Sequence, residues 1–109
     1  MAGQNPQFGP LGAPLNLSVG NTSGNGVLPG VGGDTARVTN TGATPVAVKF
    51  ATSDQTLPPV AAFNDANSVI VNNNDTRDLA MPYGAVQVAA IGTVVGPVSI
   101  YVQRGSGGV

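Results

Sequence analysis

The sequence predicts an all-β fold: an antiparallel β-sandwich or jelly roll of about seven or eight short strands. Three observations carry that expectation. Short runs alternate apolar and polar residues at the period of a strand, as in Leu15-Asn16-Leu17-Ser18-Val19 and Val98-Ser99-Ile100-Tyr101-Val102-Gln103. Clusters of Gly, Pro, Asn and Asp separate the runs at turn spacing. Helix formers are scarce, with no Glu and a single Lys, and no stretch has the helical period.

Taken in order, residues 1–14 read as an extended arm. Pro6, Pro10 and Pro14 restrict its backbone, which lowers the entropy lost if it docks on a neighbouring subunit. Leu15 to Val19 is a strand with Leu15, Leu17 and Val19 on one face. Asn25-Gly26 signals a tight turn. Residues 1–34 therefore read as an arm with one or two short strands, and residues 35–109 as the sandwich core. Ala36 to Asn40 and Pro45 to Phe50 are strands joined by Thr41-Gly42-Ala43-Thr44. So short a connection predicts an antiparallel hairpin, with Val46, Val48 and Phe50 inward and Ala47 and Lys49 outward. Residues 51–67 hold Leu57-Pro58-Pro59 and form a long connection, because Pro-Pro stops a ladder. Ser68 to Val71 is a short strand, Asn72 to Asp75 a turn, and Thr76 to Met81 a strand closed by Pro82-Tyr83-Gly84. Ala85 to Ile91 and Val98 to Arg104 are the clearest strands, joined by a turn over Gly92 to Pro97. Gly105 to Val109 is a tail.

At 109 residues the chain suggests one domain with a thin core. Hydrophobic residues make up 41%, which argues against disorder. Charged residues make up only 8%, too few to keep a free monomer well dispersed, so the composition points to a protein packed against others. Arg37, Lys49, Arg77 and Arg104 are scattered, and no basic patch for nucleic acid can be built. There is no cysteine, hence neither disulfide nor thiolate site. No segment reaches 18 apolar residues, so no span through a membrane is expected. Met1 to Pro10 shows no basic run followed by an apolar stretch, and no signal peptide is expected.

The chemistry of enzymes is largely missing. Without His, Cys or Glu, the nucleophile–base arrangements of hydrolases and the common zinc ligand sets cannot be assembled. The sequence therefore predicts no enzyme activity, no catalytic residue, no metal and no cofactor. The Asn72 to Asp78 run offers oxygen ligands but lacks the acidic alternation and Gly of a calcium loop, and reads better as a hydrogen-bonded turn. Gly30-Val31-Gly32-Gly33 opens no helix and is a poor phosphate cradle. Asn16, Asn21 and Asn74 begin glycosylation triplets that read as chance products of the composition. What remains is contact chemistry. Phe8, Leu15, Leu17, Tyr83 and Tyr101 are the candidate interface residues, Tyr101 because it points outward when Ile100 faces the core.

Three stretches carry a resemblance: Ala36 to Phe50 (ARVTNTGATPVAVKF), Val88 to Gly92 (VAAIG) and Val98 to Gly105 (VSIYVQRG). They resemble small structural proteins of tailed bacteriophages, over roughly residues 35–105. The resemblance implies a capsid decoration, or cement, protein: a homo-oligomeric β-sandwich or jelly roll on the virion surface. It would be made in the bacterial host cytoplasm and bound to the major capsid protein and to copies of itself. A tail, baseplate or head–tail joining component is the first alternative. A carbohydrate- or surface-binding module using Tyr101 and the loops at 51–67 and 72–78 is the second.

Overall fold

The computed structural model describes residues 8–55, 57–93 and 98–107. The expected arm over residues 1–7, the end of the 92–97 turn and the last two tail residues lie outside them. Among the described residues nine strands form: β1 (Gly9–Pro10), β2 (Leu15–Val19), β3 (Gly24–Val27), β4 (Thr35–Asn40), β5 (Val46–Thr52), β6 (Val69–Val71), β7 (Asp75–Ala80), β8 (Ala85–Ile91) and β9 (Val98–Ser106). One sheet runs β1–β9–β4–β7, with β2 beside β1 on the same edge of β9. The other runs β3–β8–β5–β6. All neighbours are antiparallel. Strands β2 to β9 thus fill two four-wide sheets, crossing between them at every connection except the one from β5 to β6, in the winding of a jelly roll.

Alternation builds the core. Val19, Val38, Ile100 and Val102 from the first sheet meet Val46, Val48, Val71 and Val88 from the second, all essentially inaccessible. Each such side chain contributes on the order of 1.5–3 kcal/mol relative to exposure. Their β-branching also suits them to a pleated surface.

Four expectations change. First, β4 and β5 do not pair: β4 lies between β9 and β7, and β5 between β8 and β6. The five residues 41–45 carry the chain across the core, and Asn40 holds the crossing. Its Nδ2 donates to the Thr44 carbonyl at 2.9 Å and the Val71 carbonyl at 3.3 Å, and its Oδ1 accepts from the Gly42 amide at 2.9 Å. Val98 packs so closely over Gly42 that a side chain there has no room.

Second, Asn25-Gly26 is not a turn but the middle of β3. Gly26 is needed for closeness, because a Cβ there would stand 2.9 Å from Leu15 Cδ2 and 3.0 Å from Leu17 Cδ2. Third, the sandwich begins at Leu15 rather than Thr35, since β2 and β3 each supply a strand to a different sheet. Fourth, outward-pointing Ala47, Ala51 and Ala89 are buried, although they lie on the face away from the core. The connection after β5 covers them. Its Ala61 amide reaches Ser23 Oγ at 3.0 Å, and its Asp65 takes the Lys49 ammonium at 2.9 Å. Small side chains on that face let the connection approach the sheet.

Candidate docking surface

The most exposed apolar side chains gather at the end of the sandwich where β3 leaves, β4 begins and β7 turns into β8. Val31 is 84% exposed, Tyr83 83% and Val27 66%, with Leu11 beside them. Loops with such side chains need an anchor, and Arg104 provides it. Only 3% of this residue is exposed. Its Nε donates to the Pro29 carbonyl at 3.1 Å, its Nη1 to the Gly32 carbonyl at 3.1 Å, and its Nη2 to the Ala85 carbonyl. The rigid guanidinium fork therefore ties the Pro29–Gly33 loop and the Tyr83–Ala85 turn to β9. Leu11 joins through its amide, which donates to the Arg104 carbonyl at 3.0 Å.

Glycine makes this geometry possible. Gly30, Gly32 and Gly33 sit at φ of 86°, 81° and 85°, the left-handed region other residues avoid. There the loop can turn carbonyls inward. The Gly30–Gly33 run is thus a cradle, but of carbonyls for an internal cation rather than of amides for phosphate.

The five sequence-predicted interface residues separate. Leu17 is buried in the core and Leu15 packs against it. Phe8 is half-buried on its own domain, with the Arg37 guanidinium 4.5 Å from the ring centroid. Residues 8–14 thus follow β9 of the same chain, where Gln103 Nε2 also donates to the Gly12 carbonyl at 2.9 Å. Tyr83 stands free at the apolar end. Tyr101 is 41% exposed on the outer face of the first sheet, between Asn16 and Thr39 in register. Apart from Phe8 over Arg37, that face is polar, with Arg37 and Asp78 paired at 2.7 Å and Thr76 donating to Thr39 at 3.2 Å. Sequence reasoning passed over Val31 and Arg104. The one available signal was the Gly30–Gly33 run, an unusual investment of flexibility in a surface loop.

A depression of about 760 Å³ opens beside the long connection, with Phe50, Pro58, Pro59, Val60 and Val69 among its walls. Lys49 and Asn67 also line it, and between them they hold the Asp65 carboxyl below its ordinary pKa, first the Lys49 ammonium and then the Asn67 amide. A carboxyl with a depressed pKa contributes stability that is present above its unfolded-state pKa and lost as pH falls through the folded one. Acidification should therefore loosen the connection before the sheets. Amide-exchange protection at Asn67 and Ser68 is expected to drop between neutral and acid pH while that of Val48 and Ile100 holds. Unchanged protection at Asn67 and Ser68 contradicts this.

Among the described residues no cluster of three metal-ligating side chains occurs. Among them, too, no helix is long and apolar enough to cross a membrane.

No family model and no curated protein matches the chain. Among solved structures it is similar to one described as the crystal structure of PirA. The TM-score is 0.54 at 13% identity, over 84% of this chain and 92% of that one. It is also similar to one from the work titled "Bacillus endospore appendages form a novel family of disulfide-linked pili". There the TM-score is 0.49 at 13% identity, over 97% of this chain and 94% of that one. The likeness to PirA is one of fold, and it agrees with the antiparallel sandwich described above.

Proposed function

We propose that this chain is a non-enzymatic structural protein of the capsid decoration type, which plants its apolar end on the major capsid protein lattice and lies on the virion surface. The observation that carries the proposal is the end itself: Leu11, Val31 and Tyr83 exposed together around loops fixed by a buried arginine. Exposed apolar groups on a rigid frame bind without a large ordering cost, and tyrosine is a frequent anchor of such contacts. The low charge and valine-rich sandwich suit a protein that stabilises a shell by burying area across subunit junctions. Many copies on one shell would add avidity. Binding of the purified chain to undecorated shells tests this. The double variant Val31→Ser/Tyr83→Ser should keep its fold and lose at least about tenfold in affinity. Undiminished occupancy would overturn the assignment of this end.

Tyr101, with hydrogen-bonding neighbours Asn16 and Thr39, favours the rival reading of a carbohydrate-binding face. A single aromatic platform is thin support for it, and the docking end is the better-built surface.

A further inference from the structure

A sandwich has four sheet edges, and three of these are guarded. Strand β7 carries Asp75, Arg77 and Asp78. Strand β6 is capped from the other sheet, because Arg77 Nη1 donates to the Ile70 carbonyl at 2.8 Å. The line of β1 and β2 is interrupted by Pro10 and Pro14. Strand β3 has neither charge nor proline, only Gly24-Asn25-Gly26-Val27.

The phase of its ladder shows which groups are free. The Leu28 amide donates to the Val86 carbonyl at 3.0 Å, so in the register of β3 with β8 the bonded positions are Leu28, Gly26 and Gly24. The N–H and C=O of Asn25 and Val27 therefore point away from the sheet. Among the described residues nothing in the chain takes them. Both side chains are exposed as well.

We propose that β3 pairs with β3 of a second copy of this chain, antiparallel about a two-fold axis through Gly26. The edge is self-complementary. Asn25 faces Val27 of the other copy, and each such pair exchanges two main-chain hydrogen bonds. The second sheet then continues through the axis as one sheet of eight strands. No like charges meet, because the strand has none. The exposed Val27 packs across the axis against the other copy's Asn25 and, diagonally, its Val27. The connection tied to Ser23 brings Val60 and Phe63, both exposed, near the start of the same edge, where they extend the contact.

Sedimentation equilibrium of the purified chain tests this without any particle, so its outcome is separate from that of the virion proposal. The wild type is expected to dimerise. Asn25→Pro removes an outward N–H that the fold does not use, and Val27→Lys places like charges near the axis. Each should weaken dimerisation at least about thirtyfold while the thermal melt of the monomer stays near that of the wild type. Asn16→Pro, on the β2 edge, should leave the dimer intact. A wild type that stays monomeric, or a dimer that survives Val27→Lys, overturns the assignment. So does one broken by Asn16→Pro instead.

Discussion

Replacing Arg104 with methionine will lower the stability of the sandwich by about 3 kcal/mol, which for a chain of this size is a fall in Tm of roughly 10–20 °C. Two effects compete. Removing a buried cation relieves its desolvation cost, and here no carboxylate among the described residues shares that cost. Against this, the Pro29, Gly32 and Ala85 carbonyls all lose their donor, and charge-assisted hydrogen bonds are the stronger kind. Leaving the buried Ala85 carbonyl and the partly buried Pro29 and Gly32 carbonyls unpaired outweighs the relief, since a buried acceptor costs about 1–3 kcal/mol and the other two add a smaller share. Methionine keeps most of the volume, so the loss reports hydrogen bonding rather than a cavity. Arg104→Lys sharpens the reading. It keeps the charge but cannot reach three carbonyls in a plane, and it should not rescue the melt. Full rescue by lysine would show that charge, not the fork, is what the loops need. Thermal unfolding by circular dichroism measures both variants.

Asn40→Ala is expected to cost about 2–3 kcal/mol, although it removes only a small amide. Carried at the end of β4, the amide joins three backbone groups, two from the crossing between the sheets and one from β6. Cutting it strands the buried Val71 carbonyl and leaves the partly buried Gly42 amide and Thr44 carbonyl without their partner. Asn40→Asp separates geometry from polarity. It retains an oxygen for the Gly42 amide but brings an anion against two carbonyls, and should be at least as destabilising as alanine near neutral pH. Urea titration provides the comparison. An aspartate variant as stable as the wild type would mean that the Nδ2 bonds contribute little.

These two side chains also mark where the sequence stopped being legible. Strand content was readable because β-branched residues alternate so regularly: Val98, Ile100 and Val102 point inward with Tyr101 outward, as their spacing predicts. Pairing was not, because a run of five residues between β4 and β5 can close a hairpin or cross a core, and periodicity is the same in both. The choice lay in Asn40, whose hydrogen bonds reach Val71, 31 positions further along the chain. Asn25-Gly26 misled for a related reason. Glycine serves positive φ in turns, but at Gly26 it serves close approach to Leu15 and Leu17, which only the packed sheets create. The docking end was half-visible. Tyr83 was singled out as an aromatic in a turn, whereas Val31 became significant only once Arg104 was seen to hold its loop in place.

The proposal that this chain decorates a shell is tested most directly by counting it in purified virions, calibrated against the major capsid protein by quantitative mass spectrometry. Decoration predicts a ratio near one, or a simple fraction of one, as a lattice position requires. A ratio far below that would place the chain in the tail, baseplate or neck, and its absence from particles would contradict the virion assignment altogether.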